Sequence, residues 1–323
     1  MLTKFRPSIV PVLLTGLFSF STVAAELEKI HFLIPGGAGG GWDMTARGTG
    51  DVLVKENLVE NVSFQNLSGG GGGKAIAHLI ETAQRQQDTL MVNSTPIVVR
   101  SLTGIFPQSF RDLTPVAVTI ADYGAIVTST DSKYTTWQEV VADFKKDPRS
   151  VKIAGGSARG SMDHLVAAAA FKGEDLDAKA VRYIAYDAGG KAIAALLSGE
   201  TPLLSTGLGE VLEMSKAGQV RILAITAPKR LDVAPDIPTL TEFGNETVFA
   251  NWRGFFAAPA TEQAKIDEWN DVLAKMYTTE QWQIVRDRNG WIDNYKADKD
   301  FYSFLEQQEQ QMGSLMKELG FLK

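Results

Sequence analysis

Arginines, hydroxyl side chains and glycine-rich loops that free backbone N–H groups are the materials for holding an anion. This sequence gathers them at a few points. The stretches Gly36–Gly41 and Gly69–Gly73 hold ten of its 30 glycines. Gly155–Ser161 adds serine and arginine to three more glycines, and Ser94-Thr95-Pro96 and Thr206-Gly207-Leu208-Gly209 supply further hydroxyls. Glycine lets a loop backbone approach a ligand closely, and a helix that starts there adds the partial positive charge of its N-terminus.

The phosphate-binding patterns fail on these loops. A dinucleotide fingerprint begun at Gly37 or Gly39 meets Trp42 or Met44 where its third glycine belongs. A P-loop ending at Gly73-Lys74 would need glycine at Ser68 and Ser or Thr at Ala75. A hydrolase elbow nearly forms at Gly155-Gly156-Ser157-Ala158-Arg159, with arginine in place of its last glycine. Asp163 and His164 follow on the next predicted helix, whereas triad members usually come from separate loops. His164 therefore has a plainer use at a helix start, packing or bonding the loop. An envelope serine hydrolase using Ser157 or Ser161 stays open as the rival reading.

Composition removes other chemistries. The 323 residues include no Cys, so thiol nucleophiles, disulfides and Cys-ligated metals are excluded. The three His are far apart, and neither a metal nor a cofactor is expected. A net charge of −6 argues against nucleic acid as a partner. With 44% hydrophobic and 22% charged residues the chain reads as globular.

The loops need elements to position them. Short apolar runs at Ile30–Ile34, Val62–Gln65, Leu90–Asn93, Val116–Ile120, Ala125–Thr128, Val151–Ala154, Val181–Ala185, Leu203–Ser205 and Val220–Thr226 read as strands. Helical patterns at 42–56, 74–83, 136–146, 162–171, 191–197 and 211–217 alternate with most of them. That alternation predicts βαβ units in mostly parallel sheets, which bind ligands beyond the carboxyl ends of their strands. The glycine and serine loops fall at that end.

Residues 1–25 read as a secretory signal peptide: Lys4 and Arg6, an apolar run from Ile9 to Phe20, then small residues with Val23 and Ala25 before the cut. Its apolar run is too short to span a bilayer, and no Cys is present for lipid attachment at the cut. A periplasmic location follows as an expectation. The rest, at roughly 150 residues per domain, divides into two. Anion-receptive loops on two α/β lobes, without a complete catalytic set, suggest a non-enzymatic clamshell binding protein that closes by hinge motion.

The segment Ile34–Arg47, carrying Gly39-Gly40-Gly41-Trp42-Asp43, resembles the first binding loop of the tripartite tricarboxylate transporter solute-binding family. Ser68–Lys74, Gly155–Leu165, Tyr186–Glu200 and Asn251–Pro259 resemble further segments of that family. Trp42 and Ser94-Thr95-Pro96 are similar to its tricarboxylate branch. The resemblance runs from about Leu27 to the carboxyl end. It implies a type II periplasmic binding protein, with lobe 1 from 26–128 and 228–323 and lobe 2 from 129–227. It also implies an organic-acid ligand, a di- or tricarboxylate with citrate-like acids first, and a membrane permease of one large and one small subunit as partner. The receptor itself is expected to be a monomer. A carboxylate sensor feeding a signalling kinase is the remaining alternative.

Carried onto this sequence, the resemblance implies one ligand carboxylate at Gly40, Gly41, Trp42 and Asp43. A second falls at Ser157, Arg159, Gly160 and Ser161, with Ala188, Gly189, Thr206 and Gly207 completing the wall. Ser94 and Thr95 offer hydroxyls. Arg253 and Arg159 are the expected charge partners, because a guanidinium can meet a carboxylate with several donors. Asp43 is itself anionic, so capping the helix or fixing the loop suits it better than direct contact. The Gly69–Gly73 loop reads as a tight turn in preference to a second anion cradle.

Overall fold

The computed structural model describes residues 25–323, so most of the expected signal peptide, residues 1–24, lies outside the described residues. Strand–helix alternation is present as the apolar pattern requires. β1 (Leu27–Ile34), β2 (Val59–Asn66) and β3 (Thr89–Ser94) pair in parallel, with β1 in the centre. α1 (Gly41–Lys55) and α2 (Gly73–Glu81) connect them, and α3 (Thr95–Thr103) follows β3 directly. The Ser94-Thr95-Pro96 segment is thus a strand-to-helix junction, with Pro96 in the first turn where its missing N–H costs nothing.

Two expected strands, Val116–Ile120 and Ala125–Thr128, are one 16-residue strand, β4 (Thr114–Ser129). Asp122 and Gly124 look like a turn in the sequence. In the fold Asp122 is held by Arg253, and the Gly124 N–H donates to Thr226 Oγ1 at 2.8 Å, so the strand runs straight through. β4 joins two strand sets. Up to Tyr123 it pairs antiparallel with β9 (Ala250–Ala257), which continues to β3. From Gly124 it pairs antiparallel with β7 (Leu203–Gly207) and β8 (Val220–Ile225). β7 leads in parallel to β5 (Lys152–Gly155) and then β6 (Arg182–Ala185). α4 (Trp137–Lys146), α5 (Met162–Lys172), α6 (Gly189–Leu197) and α7 (Leu212–Lys216) belong to this second half.

The change of strand partner therefore falls between Tyr123 and Gly124, before the boundary expected after Thr128. The return crossing differs too. Residues 228–249 were expected with lobe 1, yet Asn245 Nδ2 donates to the Ala170 carbonyl at 2.7 Å and Thr247 Oγ1 to that of Ala169 at 3.0 Å. These bonds hold the stretch against α5. Gly124, Thr226 and Phe249 are hydrogen-bonded together where both crossings pass.

The carboxyl-terminal region adds α8 (Gln263–Tyr277), α9 (Glu280–Asn289), β10 (Ile292–Ala297) and α10 (Asp298–Glu318). β10 pairs with the first part of β4. α10 begins on the first half, where Phe301 meets Trp252 edge-on at 5.8 Å. Just past its end, Phe321 packs edge-on against His164 of the second half at 4.8 Å. α5 is buried along nearly its whole length; from Leu165 to Phe171, through four consecutive alanines, it is apolar on every side, and such a stretch belongs inside. Its N-terminus is thereby fixed at the junction of the halves. No helix among the described residues is long and apolar enough to cross a membrane.

Candidate ligand-binding site

The strand-to-helix loops of both halves enclose a cavity of about 350 Å³, at the small end of the usual range for small-molecule sites. Four helices begin on its wall. Their N-cap residues, Gly40 for α1, Ser94 for α3, Ser161 for α5 and Ala188 for α6, all line it, and none of the four caps its own helix through its side chain. One first-turn N–H of α3, that of Thr95, donates to Asn251 Oδ1 at 3.3 Å, and one of α5, that of Asp163, to Ser157 Oγ at 2.9 Å. α4 and α9 start elsewhere and are capped by Thr136 and Thr279, whereas α8 and α10, which also start away from the cavity, are not capped by their N-cap residues. Uncapped first-turn N–H groups need partners, and a bound anion supplies them.

Arg253 supplies the charge. It leaves β9 opposite Ile120 and Ser94, only 2% exposed, and faces the cavity. Its Nη2 donates to Asp122 Oδ2 at 2.9 Å, while Nε and Nη1 have no hydrogen-bond partner among the described residues. A buried guanidinium with two idle donors is costly. Asp122 Oδ1 accepts the Gly209 N–H at 3.2 Å, so one carboxylate links Arg253 to the second half. Burial pushes the Asp122 carboxyl up, against the opposing pull of Arg253 and Gly209.

Gly41 explains why α1 begins with glycine: a Cβ there would overlap the Arg253 guanidinium. Trp42 lines the cavity with its ring and donates from Nε1 to Ser94 Oγ at 2.9 Å. Asp43 lies off the wall. Its carboxylate accepts from Gly39 N at 3.0 Å, Arg47 Nε at 2.9 Å and Asn66 Nδ2 at 3.0 Å, fixing the loop from behind.

On the opposite wall, Ser157 and Ser161 line the cavity but Arg159 does not; it is exposed, next to the left-handed turn at Gly160 (φ +74°). Gly160 instead donates its N–H to His164 Nδ1 at 2.9 Å. That ring stacks on Tyr183 at 4.6 Å, and burial, with Arg159 nearby, lowers its pKa to about 4. Ser157 Oγ accepts the Asp163 N–H at 2.9 Å and lies 3.3 Å from the Tyr183 hydroxyl. Serine and histidine thus have separate partners, and no nucleophile–base pair forms between them.

Ala188 and Gly189 line the cavity, and Ala188 takes a strained φ of +132° to do so. Thr95, Thr206 and Gly207 stand behind the wall. Thr206 lies in β7 opposite Ala125, and Gly207 backs onto Asp122. Sequence reasoning missed Asn251, Asp163 and Glu210 on the wall and Asp122 beneath it. Acidic residues were not sought at an anion site. The second glycine loop is the tight turn expected, and it also reaches the wall. Gly69 through Gly72 all have positive φ, Gly69 and Gly71 line the cavity, and the buried Arg100 packs its guanidinium against Gly71 with no carboxylate partner among the described residues.

Residues 46–321 match the family described as "Tripartite tricarboxylate transporter family receptor". The chain belongs to that family. Members are solute-binding proteins, and this receptor is one, not an enzyme. A UPF0065 protein of Bordetella bronchiseptica is 28% identical over 248 residues, covering 72% of this chain and 69% of that one. Two solved structures of Rhodopseudomonas palustris proteins are similar in fold. MatC with bound malate has a TM-score of 0.78 at 18% identity, covering 89% of this chain and 98% of that one. An adipate-bound protein has a TM-score of 0.80 at 20% identity, covering 91% and 97%. The receptor shares with them the mixed α/β periplasmic-binding-protein fold.

Proposed function

We propose that this receptor captures a di- or tricarboxylate in the periplasm, citrate-like acids first, by closing its two lobes over the cavity. It then hands the acid to a membrane permease of one large and one small subunit. The observation that carries the reading is Arg253: a buried cation on the cavity wall whose Nε and Nη1 lack partners. A ligand carboxylate supplies them, and the first-turn N–H groups still open at the starts of α1, α3, α5 and α6 receive the remaining oxygens. Malate in MatC and adipate in the second R. palustris protein are acids of this class bound to the same fold.

Burying a multiply charged acid is favourable only if each oxygen is met. Loops from both lobes supply donors here, so the acid is satisfied only when they come together. Gly37 approaches Ala188 and Gly40 approaches the Gly189 N–H across the cleft, so little space is left between the loops.

A thermal-shift screen of mono-, di- and tricarboxylates tests this reading, with ester hydrolysis assayed in parallel. A di- or tricarboxylate should raise the melting temperature with increasing concentration and be recovered unchanged. No shift with any acid, or turnover of esters, would overturn it.

A further inference from the structure

Acidic residues crowd the floor of this cleft. Glu210 and Asp163 line the cavity beside Arg253, and Asp122 lies beneath. If all four groups were ionised the floor would be two charges negative before any ligand arrived, in a space of about 350 Å³. Asp122 is spoken for by Arg253 and Gly209. Glu210 is not. Its Oε2 is buried with no hydrogen-bond partner among the described residues, pressed so closely on Gly189 at the start of α6 that a side chain there would overlap it.

We propose that Glu210 stays protonated in the closed cleft and serves as a neutral hydrogen-bond donor to the ligand, so that capture of the acid is coupled to retention of a proton. This rests on the carboxylate reading above and adds a specificity-determining residue to it. The chemistry is that of an acid–carboxylate pair: the Glu210 O–H donates to a ligand oxygen, and no bond is made or broken beyond that hydrogen bond. An ionised Glu210 would instead repel a ligand carboxylate across a partly desolvated cavity.

The surroundings agree. Facing Glu210 are Asp163 from the start of α5, Asp122 from β4, Arg253 from β9, Tyr183 from β6, the Thr206 hydroxyl from β7 and the backbone of Gly189. Burial first, then Asp163 and Asp122, raise the Glu210 pKa to about 8, and Arg253 and the Thr206 hydroxyl only partly offset them. Asp163 is raised by burial to about 6, with hydrogen bonds from Ser157 and Gly156 and the Arg253 charge opposing. Near pH 7 Glu210 is the protonated one of the two. The opposite demand, an ammonium group on the ligand paired with ionised Glu210, predicts the opposite pH dependence.

Calorimetric titration with malate and with citrate from pH 7 to 9, on the full protein and on Glu210→Gln, tests the proposal. Ligand carboxyls are essentially all ionised over this range, so they contribute no slope. The wild type should lose about tenfold in affinity over those two pH units, as the protonated fraction falls. Glu210→Gln, neutral at every pH, should bind at pH 7 within a few-fold of wild type and show no such loss. Asp163→Asn should keep the slope above pH 7. A flat wild-type profile, affinity that rises with pH, or a folded Glu210→Gln that binds neither acid would overturn the proposal. Binding of neither acid by the wild type at any pH would overturn the carboxylate reading, and this proposal with it; the two failures are thereby told apart.

Discussion

Asp122 holds Arg253 by one hydrogen bond of 2.9 Å and leaves the other edges of the guanidinium free. The pair sits where β4 exchanges β9 for β7, so the charge that awaits a ligand is anchored at the point through which the halves are joined. Replacing Asp122 by Asn strands a buried cation. Removing one partner of such a pair costs on the order of 3 kcal/mol. Urea denaturation should show that loss, with ligand affinity reduced as well. Unchanged stability would mean that Arg253 is satisfied by other groups.

Gly41 has no side chain because the Arg253 guanidinium occupies that space. Gly41→Ala should push the guanidinium from its position and weaken binding more than tenfold, while α1 still folds, since alanine is a good helix former. Circular dichroism checks the fold and titration the affinity. Retained affinity would show that the cleft has slack that the packing does not.

Trp42 is a ring against the cavity with one donor, Nε1 to Ser94 Oγ. Trp42→Phe keeps most of the apolar surface and frees the serine hydroxyl. A neutral hydrogen bond of this kind is worth about 1 kcal/mol, so affinity should fall about fivefold. Trp42→Ala should lose considerably more. Equal effects would assign the role to the indole N–H instead of the ring.

His164 makes the second-lobe loop sensitive to acid. Its folded pKa is about 4 against 6.5 for a free histidine. Between those values the unfolded chain binds a proton that the folded one refuses, so stability falls as pH drops through that window, by up to about 3 kcal/mol. Above pH 6.5 the group contributes no slope. Protonation also converts Nδ1 from acceptor to donor and breaks its bond from Gly160 N–H. His164→Gln should flatten this part of the stability profile, and an unaltered profile would place the acid sensitivity elsewhere.

Much of the fold was legible in the sequence because short apolar runs and helical periods alternate cleanly. The exceptions have physical causes. Asp122, Tyr123 and Gly124 look like a break between strands; the partner that makes Asp122 a strand residue is Arg253, far along the chain. The stretch after Ala227 carries prolines and reads as an exit linker. Its attachment to α5 through Asn245 and Thr247 is visible only in space. At the site, the glycine loops and helix starts were readable because glycine and small hydroxyl residues mark them locally. Arg159 was not, since residue type alone does not tell whether a loop side chain turns toward the cavity or, as here, toward solvent. Glu210 was missed for a different reason: charge logic alone excludes an acid from an anion site until burial makes it neutral.

The central claim is that Arg253 receives a ligand carboxylate between the lobes, and calorimetric titration of wild type and Arg253→Gln with malate and citrate at pH 7 tests it most directly. Saturable one-to-one binding of at least one acid to the wild type is expected, with a loss of more than tenfold in the variant, equivalent to about 1.5–3 kcal/mol for a charged hydrogen bond. Equal affinity in a folded Arg253→Gln protein would contradict it.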